Sequence, residues 1–208
     1  VLAAFGEDLK PYLLEDVIAY IQANGLYRVE CVKEALTFLK PARKKHTVSV
    51  ALTATAAAAK YKADERSVIL AAGLHDSAKN MDLSDPKLQG FSIQEQVPAP
   101  VLHQYTGAYL AEHYFGVKDE DVLNAVRYHT SGRPAMSTLE KLIFLSDMLE
   151  PGRDFPKVDK LRAYFAKDLN ECMFRALDHQ IKYLRKGKGE IYPLSFRAYE
   201  YYKNLRRN

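Results

Sequence analysis

Residues 71–80, AAGLHDSAKN, end an alanine-rich apolar run on a histidine, an aspartate and, three residues later, a lysine. Apolar residues spaced three and four apart read as a buried helix. An ionised carboxylate costs several kcal/mol to bury unless a cation or hydrogen bonds compensate it. Taken alone, His75 and Asp76 are a capped helix end, and a metal reading needs partners from elsewhere in the chain.

The same helical period extends in both directions. SVALTATAAAAKY (49–61) and LEKLIFLSDML (139–149) place apolar residues on one helical face, and alternating strand patterns are hard to find. Helices are predicted at about 12–23, 30–39, 44–61, 65–78, 100–115, 119–129, 137–149, 156–166, 168–186 and 194–205. They are punctuated by Pro41, LSDPKLQGF, Pro98, Pro100, Gly116, SGRPAM, PGRDFP and KGKGE. Ser137 followed by Glu140 is a capping box, Gly116 is a helix stop, and the acidic DED at 119–121 suits a helix amino end. The expectation is an all-α fold without internal repeats.

The chain has 208 residues, 48% of them hydrophobic, enough for a sizeable core. No apolar run approaches a membrane span, and VLAAFGEDLK lacks the layout of a secretory signal, so a cytoplasmic location and no membrane partner are expected. Cys31 and Cys172 are too few for a disulfide framework or a cysteine zinc site. Residues 182–208 hold eight Lys or Arg against Glu190 and Glu200. This basic tail reads as a solvated face, and no aromatic-interleaved basic motif points to nucleic acid. Residues 1–29 differ in kind. The chain begins at Val1, and VIAYIQANGLYR (17–28) is a short amphipathic helix ended by Asn24 and Gly25, which suggests a piece of a longer chain ahead of a main domain at 30–208.

Four further positions answer the question posed by His75 and Asp76. His46, His103 and His129 are expected at helix ends, and Asp147 lies four residues past Ile143 on the apolar stripe of its helix. The intervals of 29, 27, 26 and 18 residues between successive positions each match one helix plus a connection. Imidazoles and carboxylates aimed at one core call for a common partner, and a divalent cation (zinc, iron or manganese) meets that need.

The order His, His-Asp, His, His, Asp resembles the HD-domain metal phosphohydrolases. More specifically, HDSAKN (75–80), LHQYTGAYLA (102–111), HTSGRPAMSTLEK (129–141), DMLEPGRDFP (147–156) and ALDHQIKYL (176–184) are similar to the YqeK-type symmetrical dinucleoside tetraphosphatases, over about residues 41–200. The resemblance implies a helical bundle with a metal site in the core between helix ends. His46, His75, Asp76 and Asp147 would be metal ligands, with His103 and His129 as second-metal or phosphate ligands. The metal would be iron, one ion or two, with manganese or zinc as alternatives. The implied reaction splits diadenosine tetraphosphate into two ADP by metal-activated water, with Asp76 and Lys79 catalytic. Lys79, Thr130, Arg133 and Arg153, as phosphate donors, join His103 and His129 in substrate binding. Where the family tends to end in Ile-His-Pro-x-Thr, this chain has IYPLS, so Tyr192 and Ser195 stand at the nucleotide. His179 falls in a family block, as a residue behind the ligands or near the nucleotide. VIAYIQANGLYR is similar to the closing helix of nicotinate-nucleotide adenylyltransferases, which implies covalent fusion to such a domain. A homodimer stays open, as do two other functions: hydrolysis of a guanosine alarmone or deoxynucleotide, and a non-catalytic metal-containing nucleotide sensor.

Overall fold

The computed structural model describes residues 1–27, 29–187 and 189–206, which are helices and connections with no strand. The helices are α1 (Leu2–Phe5), α2 (Glu15–Ala23), α3 (Glu30–Thr37), α4 (Pro41–Ala58), α5 (Glu65–Leu74), α6 (Ala99–His113), α7 (Glu120–Arg127), α8 (Thr138–Leu149), α9 (Val158–Phe165), α10 (Leu169–Lys186) and α11 (Pro193–Leu205). A short 3-10 turn spans Pro86–Leu88. All the predicted helices are present. Arg28 of the amino-terminal segment and Lys188 and Arg207 of the basic tail lie outside the described residues.

Local chemistry sets most boundaries. Pro41 occupies the first turn of α4, where its fixed φ favours a helix and its missing N–H costs nothing, so α4 starts three residues earlier than predicted. Asp64, Asp119 and Asp168 cap α5, α7 and α10 by accepting backbone N–H bonds. At α8 the Ser137–Glu140 capping box forms in both directions. Gly116, at φ 71°, ends the turn after α6 as expected.

α5 and α8 form the centre. α5 packs on α3, α4, α6, α7 and α8, and α8 also meets α4, α7, α9 and α10. The stripe of α4 at Thr47, Val50, Ala51, Ala54 and Ala58 is buried against this centre. Its small side chains allow α5 to approach closely through Ala71 and Ala72. Gly73 fits against α3 so tightly that a Cβ there would lie 2.5 Å from Val32 Cγ2 and 2.6 Å from Cγ1. Leu142, Ile143 and Leu145 on α8 are fully buried, each contributing about 1.5–3 kcal/mol of apolar burial.

Two features depart from the sequence reading. The predicted helix 65–78 ends as an α-helix at Leu74. From there Ser77 N–H donates to Leu74 O (3.0 Å) and Lys79 N–H to Asp76 O (2.8 Å), bonds that reach back only three residues and tighten the chain into turns. At the amino end, α1 has no counterpart among the predicted helices. Ala4 and Phe5 are buried in the main core, whereas α2 buries none of its residues. No described helix is long and apolar enough to cross a membrane.

Candidate metal centre

The tightened turn after α5 delivers His75 and Asp76 into the middle of the bundle, where both are buried. Four other elements converge on them: α4 with His46 in its second turn, α6 with His103, the turn after α7 with His129, and α8 with Asp147. The six residues form two groups, His46–His75–Asp147 and Asp76–His103–His129. Within each, the potential ligand atoms lie within 4.8 Å of one another. Asp76 joins them. Its Oδ1 lies 3.4 Å from His103 Nε2 and 3.6 Å from His129 Nε2, while Oδ2 lies 3.4 Å from His75 Nε2 and 4.0 Å from His46 Nε2.

The imidazoles are held in defined orientations. His75 Nδ1 donates to Ala72 O and His129 Nδ1 to Val126 O, each at 2.7 Å and three residues back. His46 Nδ1 bonds Glu150 Oε1 at 3.1 Å, and Glu150 also accepts from Ser49 Oγ (2.7 Å) and Gly152 N (2.6 Å). At His75 and His129 a proton held on Nδ1 leaves the Nε2 lone pair pointing into the cluster, the tautomer a metal requires.

The donor set fits a divalent cation. His75 Nε2 is fully buried and makes no hydrogen bond, an orphan a protein interior rarely tolerates without a partner. Burial opposes charge on His75, but Asp76 and Asp147 outweigh it and raise its pKa, so the cluster draws positive charge to this spot. Burial likewise raises Asp76, yet the His75 and His129 rings hold its carboxyl far below the usual range. For Asp147, burial is outweighed by the hydrogen bond from His46. His103 is pushed down to about 2 by burial and by the neighbouring His129 and Lys79, so its ring stays neutral, the form that can bind a metal.

Around the cluster, Lys79 Nζ donates to His103 Nε2 at 2.9 Å, and Thr130 Oγ1 lies 3.1 Å from the same nitrogen. Burial lowers the pKa of Lys79. Arg153 donates through Nη2 to Asp147 Oδ1 at 2.6 Å. A cavity of about 520 Å³ opens beside the cluster, with His129, Thr130, Asp147 and Arg153 on its inner wall. Phe155 and His179, ring centroids 4.6 Å apart, also line it. The structure thus brings His46, His75, Asp76, Lys79, His103, His129, Thr130, Asp147 and Arg153 together.

Three expected substrate contacts stand elsewhere. Arg133 makes a bidentate pair with fully buried Glu140 (2.7 and 2.8 Å), the glutamate that also caps α8. Tyr192 is buried with its hydroxyl 2.8 Å from that of Tyr105, and Ser195 is buried one turn into α11. None of the three lines the cavity. Sequence reasoning passed over Arg43, whose Nη1 bonds Asp76 Oδ2 at 2.9 Å, and also Glu150 and Gln104. Arg43 precedes His46 by three residues and Glu150 follows Asp147 by three, so helical spacing could have flagged both.

Residues 43–152 match the HD domain family. The symmetrical bis(5'-nucleosyl)-tetraphosphatase of Bacillus subtilis (strain 168) is 38% identical over 178 residues, covering 82% of this chain and 93% of that protein. The probable nicotinate-nucleotide adenylyltransferase/Ap4A hydrolase of Mycoplasma genitalium is 32% identical over 140 residues, 66% of this chain and 39% of that protein. The crystal structure of a predicted HD superfamily hydrolase involved in NAD metabolism from Clostridium acetobutylicum superposes with a TM-score of 0.78. It is 33% identical and covers 86% of this chain and 97% of that one.

Proposed function

Because the chain belongs to the HD-domain family and, within it, to the symmetrical bis(5'-nucleosyl)-tetraphosphatases, we propose that it hydrolyses diadenosine tetraphosphate in the cytoplasm into two ADP. The bond broken joins the middle bridging oxygen to one of the two central phosphorus atoms. The water oxygen ends on that phosphorus, and the bridging oxygen leaves on the other diphosphate. The observation that carries the reading is Asp76, one carboxylate oxygen facing each pair of histidines in the core of the bundle.

His46, His75, Asp76 and Asp147 would hold the cation, iron in this proposal, with His103 and His129 available to a second ion. When bound, the metal supplies Lewis-acid activation of water and neutralises phosphate charge. The remaining roles belong to the chain's own side chains. Glu150 and the carbonyls of Ala72 and Val126 keep the histidine rings aimed inward. Lys79 and Arg153 bring positive charge to the phosphates, on which charge builds during phosphoryl transfer. Thr130 offers a hydroxyl at the inner wall, and Phe155 with His179 offers an aromatic seat for one nucleoside. Residues 1–29 carry the exposed side chains of Tyr12, Leu14, Tyr20 and Tyr27, which supports reading this segment as the end of a preceding adenylyltransferase-like domain.

The test is turnover of diadenosine tetraphosphate by anaerobically prepared, iron-loaded protein with all nucleotide products resolved. ADP as sole product is expected. AMP with ATP, or no turnover while metal is bound, refutes the proposal.

A further inference from the structure

A symmetrical tetraphosphate cut at its middle bridge has a nucleoside and two phosphates on each side of that bridge. A complementary site therefore needs two arms that meet at the metal cluster, and the aromatic cavity supplies one. A second cavity of about 320 Å³ also borders the cluster. The two cavities share Arg153 and otherwise touch different members of the cluster, His129 and Asp147 on the first and His46 on the second.

We infer that this second cavity seats the diphosphate of the other nucleotide arm, an inference that rests on the symmetrical reaction proposed above. Its walls carry three cations, Lys40, Arg43 and Arg153, and the amide of Asn80. The one acidic wall residue among those described, Glu150, has both carboxylate oxygens already engaged by His46, Ser49 and Gly152 N–H. No acidic residue occurs in the first turn of α4, from which Arg43 projects. Arg43 and Arg153 are anchored by Asp76 and Asp147, which fixes two planar guanidinium forks beside the reacting position. Such forks match phosphate oxygens better than a mobile ammonium does. Among the described residues no aromatic side chain lines this cavity apart from the His46 imidazole, in contrast to the first, so it recognises phosphate and leaves the second base unread. Selection by base then operates in one arm alone.

The test compares the iron-loaded wild-type protein with the Lys40→Ala/Asn80→Ala double variant and with Lys40→Glu. Lys40 and Asn80 are exposed. Metal content, kcat and KM for diadenosine tetraphosphate, and the dissociation constant for ADP, are measured on each. Losing a lysine contact to phosphate should raise KM about tenfold in the double variant, and further in Lys40→Glu. Metal content and ADP affinity should hold, because ADP retains the aromatic arm. Unchanged KM overturns the inference, and so does a parallel loss of ADP affinity, since both arms would then be one. Failure of the wild type to form ADP strikes the proposed reaction instead and is read separately.

Discussion

Gln104→Met tests how the position of His129 is maintained. Gln104 is fully buried beside His103 on α6. Its Oε1 accepts from Thr130 N–H (3.2 Å) and Ser131 N–H (3.0 Å), and its Nε2 donates to Ser131 Oγ (2.9 Å). These bonds fasten the turn that follows α7 and presents His129 and Thr130. Methionine keeps the volume and removes the acceptor, so the cavity cost is small. Ser131 is fully buried, and stranding its N–H costs about 1–3 kcal/mol. Thr130 is less buried, and water can recover part of its loss. The sum is about 2–4 kcal/mol, or a melting temperature lower by about 5–15 °C for a domain of this size. Urea unfolding of the metal-free protein by circular dichroism reads the stability. Calorimetric titration with iron or manganese reads the site, where affinity should fall because the turn that carries His129 is no longer fastened to α6. A loss under about 0.5 kcal/mol, or unchanged metal affinity, would refute the argument that the Gln104 amide holds this turn.

Other expectations follow from the same geometry. Arg133→Ala leaves Glu140 as an uncompensated buried charge and should destabilise by about 3–5 kcal/mol without changing KM; a raised KM in a protein of normal stability would instead make Arg133 a substrate contact. Gly73→Ala forces its Cβ onto the methyls of Val32 and should cost about 1–3 kcal/mol despite the better helix propensity. Val32→Ala in the same chain should recover part of that loss, and a double variant no more stable than Gly73→Ala would show that the clash is not the cause. Chelation should lower the melting temperature, since saturation at 100 times the dissociation constant is worth about 2.7 kcal/mol; scanning calorimetry with and without chelator would refute metal binding if the curves coincide. Burial pushes the Cys172 thiol up to about 12, so it should resist disulfide-exchange reagents at pH 8 until the chain unfolds. Only the unfolded chain then ionises this thiol as pH passes the ordinary cysteine value, and stability should fall with rising pH there.

Legibility in the sequence follows the range of the interactions. Helices with their own period and caps, such as α7 behind Asp119 and α8 behind Ser137, are readable because each signal lies within four residues. The clustering of these imidazoles and carboxylates is readable because such a group on an apolar helix face is costly to bury unless a cation or another polar group meets it there. The end of α5 at Leu74 is not, because the tightening turn is chosen by what surrounds His75 and Asp76 in space. For Arg133 the sequence admits both a phosphate contact and a pair with a nearby carboxylate, and the fold selects Glu140. The burial of Phe5 is hidden for the same reason, since four residues of helix carry no period of their own and owe their place to α3.

The orientation of His75 and His129 depends on backbone carbonyls three residues upstream, and backbone atoms cannot be mutated away. Volume-conserving exchanges at Ala72 and Val126 therefore leave both rings aimed as they are, which makes these two positions neutral territory for sequence drift. Of these three ring-orienting contacts, only that of His46 is made by a side chain, Glu150, and can be lost in a single substitution.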